Sequence, residues 1–106
     1  MITEQDVEEA LDYLRDSAQE YSQWRAAEKM YEGKLKRIEA LKFMEQEQGA
    51  VEAKRMAARA SDSYGQCLDD YREAKENAEY LDAKREACKL RISYYQTQVK
   101  AKMGHY

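Results

Sequence analysis

Two cysteines and one histidine are the side chains of this sequence with the most reactive chemistry. Cys67 and Cys88 are 21 residues apart, and neither belongs to a Cys-x-x-Cys pair or has a histidine close by in the sequence. In one continuous helix this spacing separates them by about 31 Å, which is too far for a disulfide bond. His105 is the only histidine, and we expect it to lie in a frayed tail. Both cysteines are therefore predicted to be reduced packing residues.

Carboxylates are abundant, but their pattern lacks the histidines that helical bundles use to bind iron. Di-iron bundles carry Glu-x-x-His pairs on facing helices, and the sequence contains no such pair. It also has no glycine-rich phosphate loop. We predict that the protein is not an enzyme, with no catalytic residue, no metal site and no cofactor.

A basic and aromatic segment near the C-terminus could bind single-stranded nucleic acid. Positive side chains attract phosphates, and tyrosine rings stack on bases. The candidate contacts are Lys84, Lys89, Arg91, Tyr94, Lys100 and Lys102. We favour a second interpretation, in which these bases pair with acids of the same chain. A third hypothesis, that the acids between Glu4 and Glu20 mimic DNA, is disfavoured by a net charge of only −3.

The composition indicates long helices that would position these residues. Hydrophobic residues make up 43% of the 106 and charged residues 37%, with no proline and 4 glycines. Such a chain cannot supply the turns of a β-sandwich, a doubly wound α/β domain or a disulfide scaffold. No apolar run approaches the roughly 20 residues that span a bilayer, and acids stand near the N-terminus where a signal peptide is basic. We expect a cytoplasmic protein without a membrane association.

The first half of the chain predicts one long helix, at about 4–45, and a connector. Thr3 is the predicted N-cap. The predicted seam consists of Val7, Leu11, Leu14, Ala18, Tyr21, Trp24, Tyr31, Leu35 and Ile38, with a break of heptad phase before Trp24. Gly49 is the predicted stop, followed by a short helix at about 50–60 and a cap at Ser61 or Ser63. The alternative is one continuous rod through Gly49.

The second half predicts a helix at about 63–103 with an unbroken alternation of 3 and 4 residues. Its predicted seam is Tyr64, Cys67, Tyr71, Ala74, Ala78, Leu81, Arg85, Cys88, Ile92, Tyr95 and Val99. Arg85 is the one charged residue of this series. A base at such a position specifies the register or meets an acid across the interface.

The charge distribution predicts how the two long helices pair. Residues 1–24, 25–60, 61–82 and 83–106 carry net charges of −6, +3, −5 and +5. An antiparallel hairpin places opposite charges side by side, whereas a parallel pair places −6 beside −5. We therefore predict an all-α antiparallel helical hairpin forming a single domain, with residue 10 near 99 and residue 38 near 71.

A set of large apolar and aromatic residues outside the seam predicts self-association. Its members are Tyr13, Met30, Leu41, Phe43, Tyr80, Leu90 and Tyr94. A monomer of two helices would leave them partly in water, and a two-fold dimer would bury them in a four-helix bundle. The expected partner is therefore a second copy, with a further protein partner of unspecified identity.

Short segments spread over most of the chain carry a family resemblance. They are Ala10–Asp16, Arg25–Ala26, Lys34–Lys36, Ala60–Ser61 with Tyr64, Lys84–Ala87, and Arg91–Ile92 with Gln96–Gln98. Together they resemble a group of small helical proteins encoded by tailed bacteriophages and prophages. The resemblance implies a phage accessory protein that acts inside a bacterium, in recombination or host takeover. We predict a helical module that binds a host or phage protein; the alternative is a nucleic-acid-binding factor for phage recombination or replication.

Overall fold

The computed structural model describes residues 1–104, and these form three helices. The helices are α1 at Glu4–Glu45, α2 at Val51–Arg59 and α3 at Asp62–Met103. The two long helices pack antiparallel with the short helix between them in sequence, so the predicted helical hairpin is confirmed and the continuous rod is wrong. The expectation for His105 lies outside the described residues. Among residues 1–104, no helix combines the length and apolar character that crossing a bilayer needs.

Side-chain caps fix the starts of both long helices. Asp6 donates its backbone N–H to the Thr3 hydroxyl at 3.2 Å, and Thr3 donates its own N–H to the Asp6 carboxylate at 2.9 Å. These bonds from Thr3 hold the pKa of Asp6 below its ordinary value. The stabilisation is therefore present at neutral pH and lost as the pH falls through the folded-state pKa. At α3, the Ser61 hydroxyl accepts the N–H of Tyr64 at 3.3 Å, which selects Ser61 over Ser63 as the cap.

The turn between α1 and α2 depends on Gly49. Its φ is +121°, a conformation that side-chain-bearing residues rarely adopt. The first helix already ends at Glu45, three residues before the turn proper. Gly49 therefore shapes the connector and is not itself the cap of α1.

The described residues form two compact units. Unit 1 contains Met1–Ser22 and the described part of Glu79–Tyr106, and unit 2 contains Gln23–Ala78. The buried residues are mostly small: Ala10, Ser17 and Leu81 in unit 1, and Ala58, Cys67, Ala74 and Ala78 in unit 2. Within the described residues, no large side chain is fully buried. The long helices thus meet through alanine-sized side chains, which allow their backbones to approach closely.

The predicted seam of α1 is wrong at two positions. Leu11 is 52% exposed and Ala18 is exposed, whereas their neighbours Ala10 and Ser17 are buried. With this correction, buried and half-buried residues continue at spacings of 3 and 4 through the helix: 7, 10, 14, 17, 21, 24, 28, 31, 35 and 38. The predicted break of heptad phase before Trp24 is therefore absent.

The predicted seam of α3 is confirmed from Tyr64 to Tyr95. All of its residues in this range are buried or half-buried. Val99 is exposed. Gln98 is half-buried in its place. Its side-chain oxygen accepts the N–H of Ile2 at 3.3 Å, and its side-chain amide donates to the Ile2 carbonyl oxygen at 3.0 Å.

The packing role predicted for the cysteines agrees with their surroundings. Both thiols are free; Cys67 is buried and Cys88 is half-buried. The Cys67 sulfur lies 3.7 Å from the Tyr31 carbonyl oxygen in unit 2.

The predicted register of the hairpin is wrong by about ten residues. Ala10 shares a groove with Ala87 and Cys88, not with residue 99. In unit 2, Tyr31 meets Cys67, whereas the predicted register places residue 38 beside 71. The shift corresponds to about 15 Å of helix.

The short helix α2 is the reason for this shift. It lies against the end of α1, where Arg59 binds Glu39 at 3.1 Å and the Lys54 ammonium stands 5.7 Å from the Phe43 ring centre. Because α2 occupies the last turns of α1, α3 begins its pairing further back along that helix. A sequence-based register that ignores this contact aligns the long helices end to end.

Arg85 forms a polar layer inside unit 1. Its guanidinium donates to the Leu14 carbonyl oxygen at 2.6 Å and to the Ser17 hydroxyl at 2.8 Å. The same guanidinium lies 5.2 Å from the ring centre of Tyr21, a distance at which a cation is attracted to the aromatic face. Both oxygen partners are neutral, so Arg85 specifies the register by hydrogen bonding at one level of α1.

Replacing Arg85 with methionine tests how much this polar layer contributes to the free energy of unfolding. Methionine keeps an apolar stem but loses both hydrogen bonds, so we expect the free energy of unfolding to fall by about 1 to 3 kcal/mol in urea titrations. The control is Lys89→Met, which removes an exposed pair with Glu86 and should cost well under about 1 kcal/mol. Equal losses in the two variants would contradict a special role for Arg85.

Candidate interaction surface

One side of α3 in unit 1 presents an alternating row of aromatic and basic residues. The row, which we call the basic strip, consists of Tyr80, Lys84, Ala87, Arg91 and Tyr94. Spacings of 4 and 3 residues keep these side chains on one side of a helix. Tyr80 and Tyr94 are each 61% exposed. The basic strip therefore offers water two large rings and two cations.

The neighbouring side of α1 presents acids at the same spacing. This row, the acidic strip, consists of Asp6, Glu9, Tyr13, Asp16 and Glu20. It faces the same direction as the basic strip, because Glu9 and Tyr13 line one groove together with Lys84 and Arg91. We call the two strips together the flank of unit 1.

The groove between the strips has a volume of about 300 Å³. Ala10, Ala87 and Cys88 contribute its apolar part. Tyr13 lines the groove, while its hydroxyl is buried from water and has no hydrogen-bond partner among the described residues. A buried hydroxyl without a partner is energetically costly.

Lys84 is held between two tyrosine rings. Its ammonium lies 5.2 Å from the ring centre of Tyr13 and 5.1 Å from that of Tyr80. A hydrogen bond with the Tyr80 hydroxyl, followed by charge interactions with Tyr80 and Tyr13, raises the pKa of Lys84 above its ordinary value. The ammonium is thus positively charged at neutral pH and lies beside both rings.

The residues proposed for nucleic-acid binding do not share one side of α3. At about 100° per residue, Lys84, Tyr94 and Lys102 lie within about 60° of Arg91, whereas Lys89 and Lys100 point about 160° or more away from it. Lys89 is paired with Glu86 of its own helix at 3.0 Å. Only part of the predicted patch is therefore brought together.

Direct pairing of these bases with the first helix, which we favoured from the sequence, is not observed. Within the described part of unit 1, no lysine or arginine of α3 forms an ion pair with an acid of α1. Arg91 interacts with Asp6 only at longer range. The two strips are therefore not neutralised by each other, although Asp16 is paired with Arg15 of its own helix at 3.1 Å.

The predicted dimer surface is divided in a similar way. Tyr13, Tyr80 and Tyr94 belong to the flank of unit 1. Phe43 is half-buried near Lys54 of α2, and Leu90 is exposed but one residue removed from the basic strip. These two residues do not continue the surface formed by the three tyrosines.

Unit 2 has an apolar and basic row of its own on α1. Met30, Lys34, Arg37, Leu41 and Met44 follow the same 4 and 3 spacing. Leu41 is 55% exposed and Met44 is 79% exposed. Met44 was missed by the sequence analysis, although its position 14 residues after Met30 was a usable signal. A groove of about 470 Å³ lies along Met30, Gly33, Lys34 and Arg37.

Comparison of the chain with family models, curated proteins and solved structures gives no match. Within residues 1–104, no group of three or more histidine, cysteine or carboxylate side chains is arranged to hold a metal ion.

The environment of Lys84 gives a testable pH dependence. We expect Tyr80→Phe to lower the pKa of Lys84 toward its ordinary value, because the hydrogen bond to the hydroxyl is lost. Since the folded-state pKa is raised, the contribution of Lys84 to stability is present below the unfolded value and lost as the pH rises through the folded one. NMR titration of the lysine side chains measures this, with Tyr94→Phe as a control that leaves Lys84 unchanged. An unchanged pKa in Tyr80→Phe would contradict the assigned cause.

Proposed function

We propose that this protein is a non-enzymatic helical interaction module that dimerises and binds another protein through the apolar side chains beside its seam. The resemblance to small phage proteins supports a setting in the bacterial cytoplasm, with a host or phage protein as the partner. The observation that carries the proposal is the distribution of large apolar residues between seam and surface.

In an ordinary core the large apolar side chains are the most buried, whereas in this hairpin the small ones are. The most buried positions are occupied by alanine, serine, cysteine and one leucine. Met30, Leu41, Met44, Tyr80 and Tyr94 are more than half exposed, and they lie in two rows at helical spacing. Ordered rows of this kind are typical of surfaces that pack against another helix.

The alternative, nucleic-acid binding, draws on the basic strip of unit 1. Exposed Tyr80 and Tyr94 with Lys84 and Arg91 have the chemistry for stacking on bases and for binding phosphates. The acidic strip lies directly beside them, and its carboxylates would repel a phosphate backbone. Protein binding is therefore the function that the surface favours.

Sedimentation equilibrium tests dimerisation. We expect the parent to approach twice its mass of 12.5 kDa at tens of micromolar. Leu11→Gln should leave this mass unchanged, because Leu11 is 52% exposed but belongs to neither apolar row. A parent that remains at 12.5 kDa would rule out the dimer.

Oligonucleotide binding separates the two functions. We expect a fluorescent single-stranded oligonucleotide to bind weakly or not at all at physiological salt. The alternative would be favoured by sub-micromolar binding that falls log-linearly with salt and is lost when Lys84, Arg91 and Lys102 are replaced by glutamine. The control replaces Lys89 and Lys100, which point to the opposite side of α3.

A further inference from the structure

We propose that the flank of unit 1 is a self-complementary interface, in which the acidic strip of one chain lies over the basic strip of a second copy and the reverse. This inference rests on the proposed dimer and specifies which surface forms it and in what orientation. It is carried by the charge pattern of the flank, by the levels at which opposite charges stand and by the groove between the strips.

The charges of the flank are opposite on its two helices and form no ion pair between them. Glu9 and Asp16 lie on the α1 side, and Lys84 and Arg91 lie on the α3 side. Asp16 is paired with Arg15 of its own helix at 3.1 Å, and both side chains are about 70% exposed, so this pair contributes little and can be exchanged. No ion pair joins these two sides within the described part of unit 1. The groove of about 300 Å³ lies between Glu9 and the two bases. Opposite charges are thus presented side by side without neutralising each other.

Only one two-fold arrangement brings opposite charges together. Rotation about an axis parallel to the helices places α1 of the second copy over α3 of the first, so that acids face bases twice. Rotation about an axis that runs across the helices within the interface places α1 over α1, so that acids face acids. A two-fold interface repeats every contact, and the like-charge arrangement is therefore disfavoured twice.

The levels of the charges agree with the first arrangement. Within one chain, Ala10 is level with Ala87 and Cys88, and Ser17 is level with Arg85. Rotation about an axis parallel to the helices keeps these levels. Glu9 of the second copy then stands at the level of Arg91, and its Asp16 stands at the level of Lys84.

Exposed rings and the groove add an apolar contribution to this interface. Tyr80 and Tyr94 project from the basic strip and would lose their contact with water against the second copy. Ala10, Ala87 and Cys88 form the apolar part of the groove. A second copy therefore covers this apolar surface and pairs the opposite charges at once.

Charge reversal tests the interface. The acidic variant carries Lys84→Glu and Arg91→Glu, and the basic variant carries Glu9→Lys and Asp16→Lys. Each variant alone should dimerise at least about tenfold more weakly than the parent, because like charges then face each other. An equimolar mixture of the two should recover the dimer as a heterodimer, because every contact again joins opposite charges.

The matched control carries Lys89→Glu and Lys100→Glu and keeps Lys84 and Arg91 unchanged. It has the same change in net charge as the acidic variant but on the side of α3 remote from the flank, and its dimer Kd should stay within about twofold of the parent. Circular dichroism of each variant confirms folding. If a reversed variant does not fold, Lys84→Gln with Arg91→Gln replaces it and should still weaken the dimer.

The outcomes separate this inference from the proposed function. A monomeric parent would remove the dimer itself. A parent dimer that the acidic variant and the control weaken equally, or a mixture that fails to form the heterodimer, would overturn the interface and leave the dimer standing on another surface, such as the row with Leu41. Loss in both reversed variants with recovery in the mixture is the result we expect.

Discussion

The burial of small side chains between two long helices is the constraint on which the rest of the molecule depends. Ala10 and Ser17 on α1, and Ala74 and Ala78 on α3, are buried where the helices meet. A side chain of this size contributes little hydrophobic burial by itself. It permits many backbone and side-chain contacts along the helices, however, and dispersion contacts are collectively large. The stability of such a pair therefore depends on length and on the exact level of pairing.

Large side chains occupy two kinds of position in the hairpin. Those in the seam are mostly half-buried, as Tyr21 and Leu35 are, and Leu81 is the one large residue among the buried set. Others stand beside the seam and remain exposed, as Tyr80 and Met44 are. Two helices have too little shared surface to cover both sets, and the exposed set is the apolar surface that supports an interaction function.

Charge and hydrogen bonding have separate roles in the hairpin. The segment charges of −6, +3, −5 and +5 agree with the antiparallel direction, but in unit 1 they act without ion pairs between the long helices. Long-range attraction of this kind varies slowly with a shift along the helix and cannot select one level. The bonds from Arg85 to Leu14 and Ser17 exist at one level only. Direction therefore follows from the charge pattern, and register follows from short-range contacts of Arg85 and of α2.

The sequence by itself determined the helices, their ends and their direction. Thr3 and Ser61 cap through their own side chains, Gly49 marks the turn, and the α3 seam repeats without a gap. All of these signals are local, or are sums over long segments, and so they can be recognised without knowing the packing. The sequence also identified Arg85 as the unusual seam residue and three tyrosines of the flank.

Only the tertiary structure decided the seam of α1, the register and the membership of the flank. Leu11 is more hydrophobic than Ala10, so a sequence pattern selects it, but the observed packing buries Ala10 beside Ala87 and Cys88 and leaves Leu11 52% exposed. The register depends on where α2 packs against Glu39 and Phe43, a contact between segments that no periodicity encodes. The flank is defined by which side chains of α3 stand beside those of α1, and that neighbourhood exists only after the level of pairing is fixed.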